Sequence, residues 1–151
     1  MSQEQMDNVL RSLEEMNDKL RVLEDIEEIK KLHTNYVYWM CNHRWDDMLN
    51  CFTEDAVLNV QGDERRGKEE IEDLFKHFLA DRIKLNDGHI VGQPVINVEG
   101  DKATGYWILY LFFSDPVSWM QGRQECEYVR DYGKWKFQTM RFINPWPELP
   151  V

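Results

Sequence analysis

No stretch of the chain approaches the roughly 20 consecutive apolar residues that a bilayer-spanning helix requires, and the first residues are polar and acidic, unlike a secretory leader. Basic residues are few: 18 Lys and Arg stand against 28 Asp and Glu, a net charge of −10 with no basic patch. A surface of that sign repels phosphate backbones and anionic lipid, so neither nucleic acid nor a membrane is an expected partner. Cysteine is scarce. Cys41, Cys51 and Cys126 are odd in number and widely spaced, which gives no disulfide framework and reads as free thiols in a reducing cytoplasm. His33, Cys41 and His43 lack the tight pairing of zinc ligands and fall across an irregular break, so no metal is expected. Glycine and proline are missing from Ser2 to Leu32, which leaves nothing there to interrupt a helix.

That glycine-free segment carries Met6, Val9, Leu13, Met16, Leu20 and Leu23 at alternating spacings of three and four, with Glu and Lys around them. This is a short heptad seam. Packing against a neighbouring subunit would bury it, and a solvated extension is the alternative. After Leu23 the apolar positions move to Ile26, Ile29 and Leu32, as in a helix face joining a globular core. The expected organisation is a helical extension over 1–24, one domain over 25–146 and a tail over 147–151. A chain of 151 residues is long enough to bury a core without staples.

The stretch from Tyr36 to Ala56 organises the rest. An aromatic helical face, Tyr36, Trp39 and Met40, leads to a polar break at residues 41–44 and then to a short amphipathic helix carrying Trp45, Met48, Leu49 and Phe52. Thr53-Glu54-Asp55 reads as a turn before a strand from Ala56. Asp46 and Asp47 suit helix capping, and Cys51 and Cys126 suit buried packing. Past the Gln61-Gly62-Asp63 turn, Ile71, Leu74, Phe75 and Phe78 form the stripe of a third helix, with His77 off it.

From Asp87 the period becomes two. Residues 89–98, 103–113, 121–130 and 134–143 read as four strands joined by short turns, an antiparallel meander. Helices first and strands afterwards make the fold class α+β. Such a sheet, curved around the helices, encloses a pocket. His89, Val91, Gln93 and Val95 share one strand face, and Gly105, Trp107, Leu109 and Leu111 share another. Mostly apolar walls with a few polar members suit a small hydrophobic ligand.

Several segments together resemble a known family: Asp25–Leu32, Tyr36, Trp45-Asp46-Asp47, Phe52–Ala56, Arg66–Ile71, His89 with Pro94-Val95-Ile96, Ala103–Trp107 and Gly133-Lys134-Trp135. They look like the SnoaL-like group of the nuclear transport factor 2-like superfamily, whose members include scytalone dehydratase, bile acid 7α-dehydratase and hexachlorocyclohexane dehydrochlorinase. The resemblance runs from about Asp25 to Phe142 and is nearest to bile acid 7α-dehydratase, including its heptad-like first helix. It implies a cone-shaped, curved antiparallel or mixed sheet around the N-terminal helices, a hydrophobic pocket, and a homo-oligomer, dimer or trimer. In the dehydratases a tyrosine, an aspartate further along the same helix and a strand histidine make the site. Tyr36 and His89 match the tyrosine and histidine; Cys41 stands where the aspartate belongs. The family's further acid falls at Leu111, and its late arginine near Asn144, with Arg141 a substitute on a shifted register. The resemblance therefore implies a cofactor-free lyase or isomerase working beside a carbonyl on a polycyclic or aromatic ligand. His89 is its base, Tyr36 its acid or hydrogen-bond donor, and Cys41, Trp39, Met40, Trp107, Leu111 and Arg141 shape the site. A neutral thiol cannot supply the aspartate's charge, so the competing expectation is a non-catalytic small-molecule-binding protein.

Overall fold

In the computed structural model, which describes residues 1–144, a single helix α1 runs from Gln3 to Cys41. Ser2 starts it with a capping box. Its hydroxyl accepts from the Gln5 N–H at 3.2 Å, and the Gln5 side chain accepts from the Ser2 N–H at 2.9 Å, pairing donors that a helix start otherwise leaves orphaned. Every residue from 3 to 24 is exposed. From Asp25 onward the helix buries Asp25, Ile29, His33, Tyr36, Val37 and Met40, one face at helical spacing. Asp25 anchors the junction: its carboxylate accepts from Trp135 Nε1 at 3.0 Å and from Arg130 Nη2 at 2.6 Å.

The break after α1 leaves His43 at a positive φ of 55°, and α2 spans Trp45–Leu49. Two expectations are corrected here. Phe52 belongs to strand β1, Phe52–Val60, instead of the second helix. The Thr53-Glu54-Asp55 segment, read as a turn, lies inside that strand, where pairing with its neighbour shifts between Phe52 and Val57. A bulge breaks the alternation locally, so its polar residues mimic a turn. A short strand β2, Asp63–Arg66, follows. It consists only of charged residues, so it has no alternation to read, and it pairs antiparallel with β1.

Helix α3, Gly67–Asp73, passes into a π-helical turn over Leu74–Leu79, marked by the Ala80 N–H bonding the Phe75 carbonyl at 2.8 Å. Ile71, Leu74 and Phe75 are buried as the stripe requires, but Phe78 is 56% exposed beneath the Arg65 guanidinium. The extra residue in the π turn rotates the face, sending Phe78 outward and Leu79 inward.

Four long strands complete the fold: β3 Gly88–Glu99, β4 Lys102–Ser114, β5 Val117–Asp131 and β6 Lys134–Ile143. The six-stranded sheet has the order β2-β1-β6-β5-β4-β3. β1 runs parallel to β6 and the other neighbours are antiparallel. This open mixed sheet around the N-terminal helices is an α+β cone. In β3 the register shifts between Gly92 and Val95, with Gln93 at a positive φ of 48°. Val95 is consequently turned outward, 56% exposed, and does not share the face of Val91 as alternation predicts. The expected tail, 147–151, and residues 145–146 lie outside the described residues.

Two glycines allow close packing under the sheet. A Cβ on Gly122 would collide with the Phe142 ring and stand 2.6 Å from the Ile143 carbonyl oxygen, and one on Gly105 would stand 2.9 Å from Tyr128 Cε2. The Gly122 neighbour includes backbone, which cannot rotate away. Gly122→Ala is expected to cost about 1–3 kcal/mol, read as a lower urea midpoint at unchanged slope; an unaltered midpoint would show that β5 and β6 separate freely there.

Candidate functional site

Two spaces lie against the C-terminal half of α1. The first is an apolar cavity of about 120 Å³ between α1, the π turn and the sheet, lined by Tyr36, Met40, Phe75, Leu111, Phe113 and Gln124 among others. Gln61 and Arg82, both exposed, form its solvent side. The second is a groove of about 330 Å³ outside α1, lined by Val37, Tyr38, Cys41, Asp87, His89 and Val91 among others.

The expected site residues are divided between these spaces. Tyr36, Met40 and Leu111 face the cavity. Cys41 and His89 face the groove. The two spaces adjoin, because His89 is the cross-strand partner of Leu111 and its ring is 5.9 Å from that of Phe113. Directly opposed residues of an antiparallel pair point to the same side of a sheet, so His89 is aimed inward. Trp39 is not among the cavity's walls; it packs under the Arg44 guanidinium, 4.6 Å from its ring. Trp107 is buried behind the cavity. Arg141 is exposed on the opposite face of the sheet, beside Thr139 and Glu125, because alternation in β6 turns Met140 and Phe142 inward and Arg141 out. Asn144 donates its amide to the Gln121 carbonyl.

Tyr36 stands in an aromatic cage, edge-on to Phe52, Phe75 and Phe137 at centroid distances of 5.7, 6.4 and 5.3 Å. Burial pushes its phenol far above the ordinary value, so the hydroxyl stays protonated and acts as a neutral donor. Burial likewise raises the Cys41 thiol to about 11, outweighing the His89 backbone N–H that favours its thiolate. His89 has both ring nitrogens shut off from solvent and without a hydrogen-bond partner. Burial lowers its pKa, while the nearby Asp87 carboxylate pulls the other way. A buried donor or acceptor left unpaired costs about 1–3 kcal/mol. The ring is thus a neutral imidazole with unused bonding capacity beside an apolar cavity.

Asp87 is the negative charge near His89 that sequence reasoning missed. Its carboxylate accepts from the Ser114 N–H at 2.8 Å, the Ser114 hydroxyl at 2.9 Å and the Lys84 N–H at 3.0 Å, bonds that overcome desolvation and hold it ionised. In the sequence it is only the last polar residue before a strand. Ile83 is held at the cavity by its carbonyl, which His43 Nε2 bonds. His43 is therefore structural. Among the described residues no three His, Cys, Asp or Glu side chains cluster as metal ligands do, and no helix is long and apolar enough to cross a membrane.

Behind the cavity lies a sealed polar network. Gln124 Oε1 can only accept, so His33 Nε2–H donates to it at 2.7 Å. The neutral ring's Nδ1 is then bare and accepts the Tyr128 hydroxyl at 2.9 Å, while Trp107 Nε1 donates to Tyr128 Oη at 2.8 Å, and Gln124 carries the network to the cavity wall.

A family model described as a SnoaL-like domain matches residues 21–141. Among solved structures, an NTF2-like protein with a cystatin-like fold from Novosphingobium aromaticivorans superposes with a TM-score of 0.76 at 22% identity, covering 84% of this chain and 86% of that one. A candidate scytalone dehydratase from the same species gives 0.72 at 15%, covering 80% and 83%. A hexachlorocyclohexane dehydrochlorinase from Novosphingobium barchaimii gives 0.73 at 18%, covering 88% and 99%. At these identities the structural likeness shows the fold. No curated protein matches at the sequence level.

The buried imidazole makes stability depend on pH. Burial drives His33 down to about 3 from 6.5, against the bond it donates to Gln124, which raises it. Between those values the unfolded chain binds the proton and the folded chain does not. Stability therefore falls as pH drops from 6.5 towards 3, by on the order of 4 kcal/mol if this group acts alone. Urea unfolding at pH 7, 5.5 and 4 is expected to show the decline, with a shallower slope in His33→Asn; equal slopes would mean that His33 is not the source.

Proposed function

The chain belongs to the SnoaL-like domain family, and from that premise we propose that it is a cofactor-independent lyase or isomerase that removes a proton next to a carbonyl in a small hydrophobic ligand. The observation that supports this reading most is His89, a buried neutral imidazole with two unpartnered nitrogens beside a cavity that carries the protonated Tyr36 hydroxyl. In the reaction an imidazole nitrogen takes the proton from the carbon next to the carbonyl, and the electron pair moves onto the carbonyl oxygen. Tyr36 stabilises that oxygen as a hydrogen-bond donor. When the carbonyl re-forms, the pair expels a β-hydroxyl, which leaves as water with the proton from His89; in an isomerisation the proton returns to another carbon. Asp87 supplies part of the negative charge that Cys41 does not.

Cavity size bears on the ligand. An engineered cavity of about 150 Å³ holds benzene, so about 120 Å³ suits one ring better than a polycycle, with further substituents reaching out past Gln61 and Arg82. The competing reading, a binding protein without turnover, is favoured by one observation: Cys41 is held as a neutral thiol where the dehydratases carry an aspartate.

Purified protein is assayed against single-ring β-hydroxy ketones. Turnover is expected, with a loss of at least 100-fold in His89→Ala and a gain in Cys41→Asp. Saturable binding without turnover in either the native chain or Cys41→Asp would leave the binding reading. Because His89 must be neutral to act and its pKa is lowered, the low-pH decline of kcat/KM is expected to have its midpoint below 6.5. A midpoint above 6.5 would exclude His89 as the base.

A further inference from the structure

The N-terminal half of α1 carries large apolar side chains that nothing among the described residues covers: Met6, Val9, Leu13, Met16, Leu20 and Leu23 are 44% to 65% exposed. They occupy the a positions (6, 13, 20) and d positions (9, 16, 23) of a heptad frame. At about 100° per residue, their mean direction lies roughly 160° from that of the buried face formed by Ile29, His33, Tyr36 and Met40. It coincides with the line of Glu27, Lys31, Thr34 and Tyr38, all exposed. The chain's own sheet packs on the opposite side of the same unbroken helix, so it cannot cover the seam. No described residue of the chain covers it.

We propose that the occupant is a second copy of this chain, its α1 parallel and in register over residues 6–23. Charge selects the direction. Lys19 falls at a g position and Glu24 at the e position of the next heptad, so a parallel partner brings Lys19 of each chain to Glu24 of the other. In an antiparallel pair, g positions face g positions, and Lys19 meets Ser12 with no complementary charge. The frame also explains where pairing ends. The next a, d and a positions are Glu27, Lys30 and Thr34, with Lys30 bonded to Glu27 of its own helix at 3.0 Å. The seam stops where the domain begins, and the domain lies on the opposite side of the helix from the seam. This inference is independent of the proposed reaction.

Sedimentation equilibrium of the full chain is expected to give a concentration-dependent dimer, and Leu13→Asp/Leu20→Asp is expected to be monomeric with its sheet circular dichroism and aromatic fluorescence intact. Lys19→Glu is expected to weaken association several-fold, and Lys19→Glu/Glu24→Lys to restore it. Met6→Cys is expected to cross-link into a dimer under oxidation, since position 6 meets itself only in the parallel register; in the antiparallel one it faces Leu23. A monomeric native chain would overturn the proposal. So would a dimer that survives Leu13→Asp/Leu20→Asp, which would lie on another surface, or a dimer of the Met6→Cys variant that never cross-links, which would not be parallel.

Discussion

The His33 imidazole has to remain neutral, and much of the molecule is arranged around that requirement. Fully buried, it holds α1 to β5 through Tyr128 and Gln124 and stacks on Trp107 of β4 at a centroid distance of 4.2 Å. Each polar atom in the network has a partner of the matching kind, which is the condition under which buried polar groups hold a core to one arrangement. The direction of α1 against the sheet follows, and with it the placement of Tyr36 and Met40, one and two turns further along the same face. Gly105 belongs to the same constraint, since its missing side chain is the room that Tyr128 occupies.

The chemistry around the candidate site is governed by burial among apolar side chains. The polar members of the cavity wall are few: Tyr36, Gln124 and, at the solvent side, Gln61 and Arg82. A donor in such surroundings is electrostatically stronger than the same donor in water, although it cannot give up its proton fully. The adjoining groove is more polar and holds the imidazole, the thiol and, through Asp87, a carboxylate. Phe113 belongs to both regions: it lines the cavity and packs edge-on against His89. That ring is the link between the cavity and the imidazole.

Much of the fold was legible in the sequence because long elements carry long patterns. The first helix, the three-four spacing from Ile29 to Met40 and the four late strands each repeat a period often enough to be read. What was lost is local. The bulge over residues 53–56 puts three extra residues into β1, and the irregularity at residues 93–94 and the π turn each add one, which is enough to turn Phe78 and Val95 outward. β2 was missed because four consecutive charges carry no alternation. The site was harder still. Tyr36 and His89 were found through a family pattern, but no pattern separates the side of a wall that a residue faces. Trp107 was expected to shape the site from its strand face, and its buried indole donates to Tyr128. Arg141 sits one residue from two inward positions and points away. Asp87 gave no signal, because its role depends on Ser114, 27 residues distant, closing over its carboxylate.

The two ends of the sheet differ in how they stop. β2 is four charged residues long, and its Arg65 is bonded to Asp63 and Asp73 of its own chain. β3 is long, but its register shifts around Pro94, which has no N–H to offer. A sheet that ends in this way resists templated strand addition, the step by which exposed edges seed fibrils. The apolar seam on α1 therefore stands out from an acidic protein whose sheet edges are poor templates for misfolded copies.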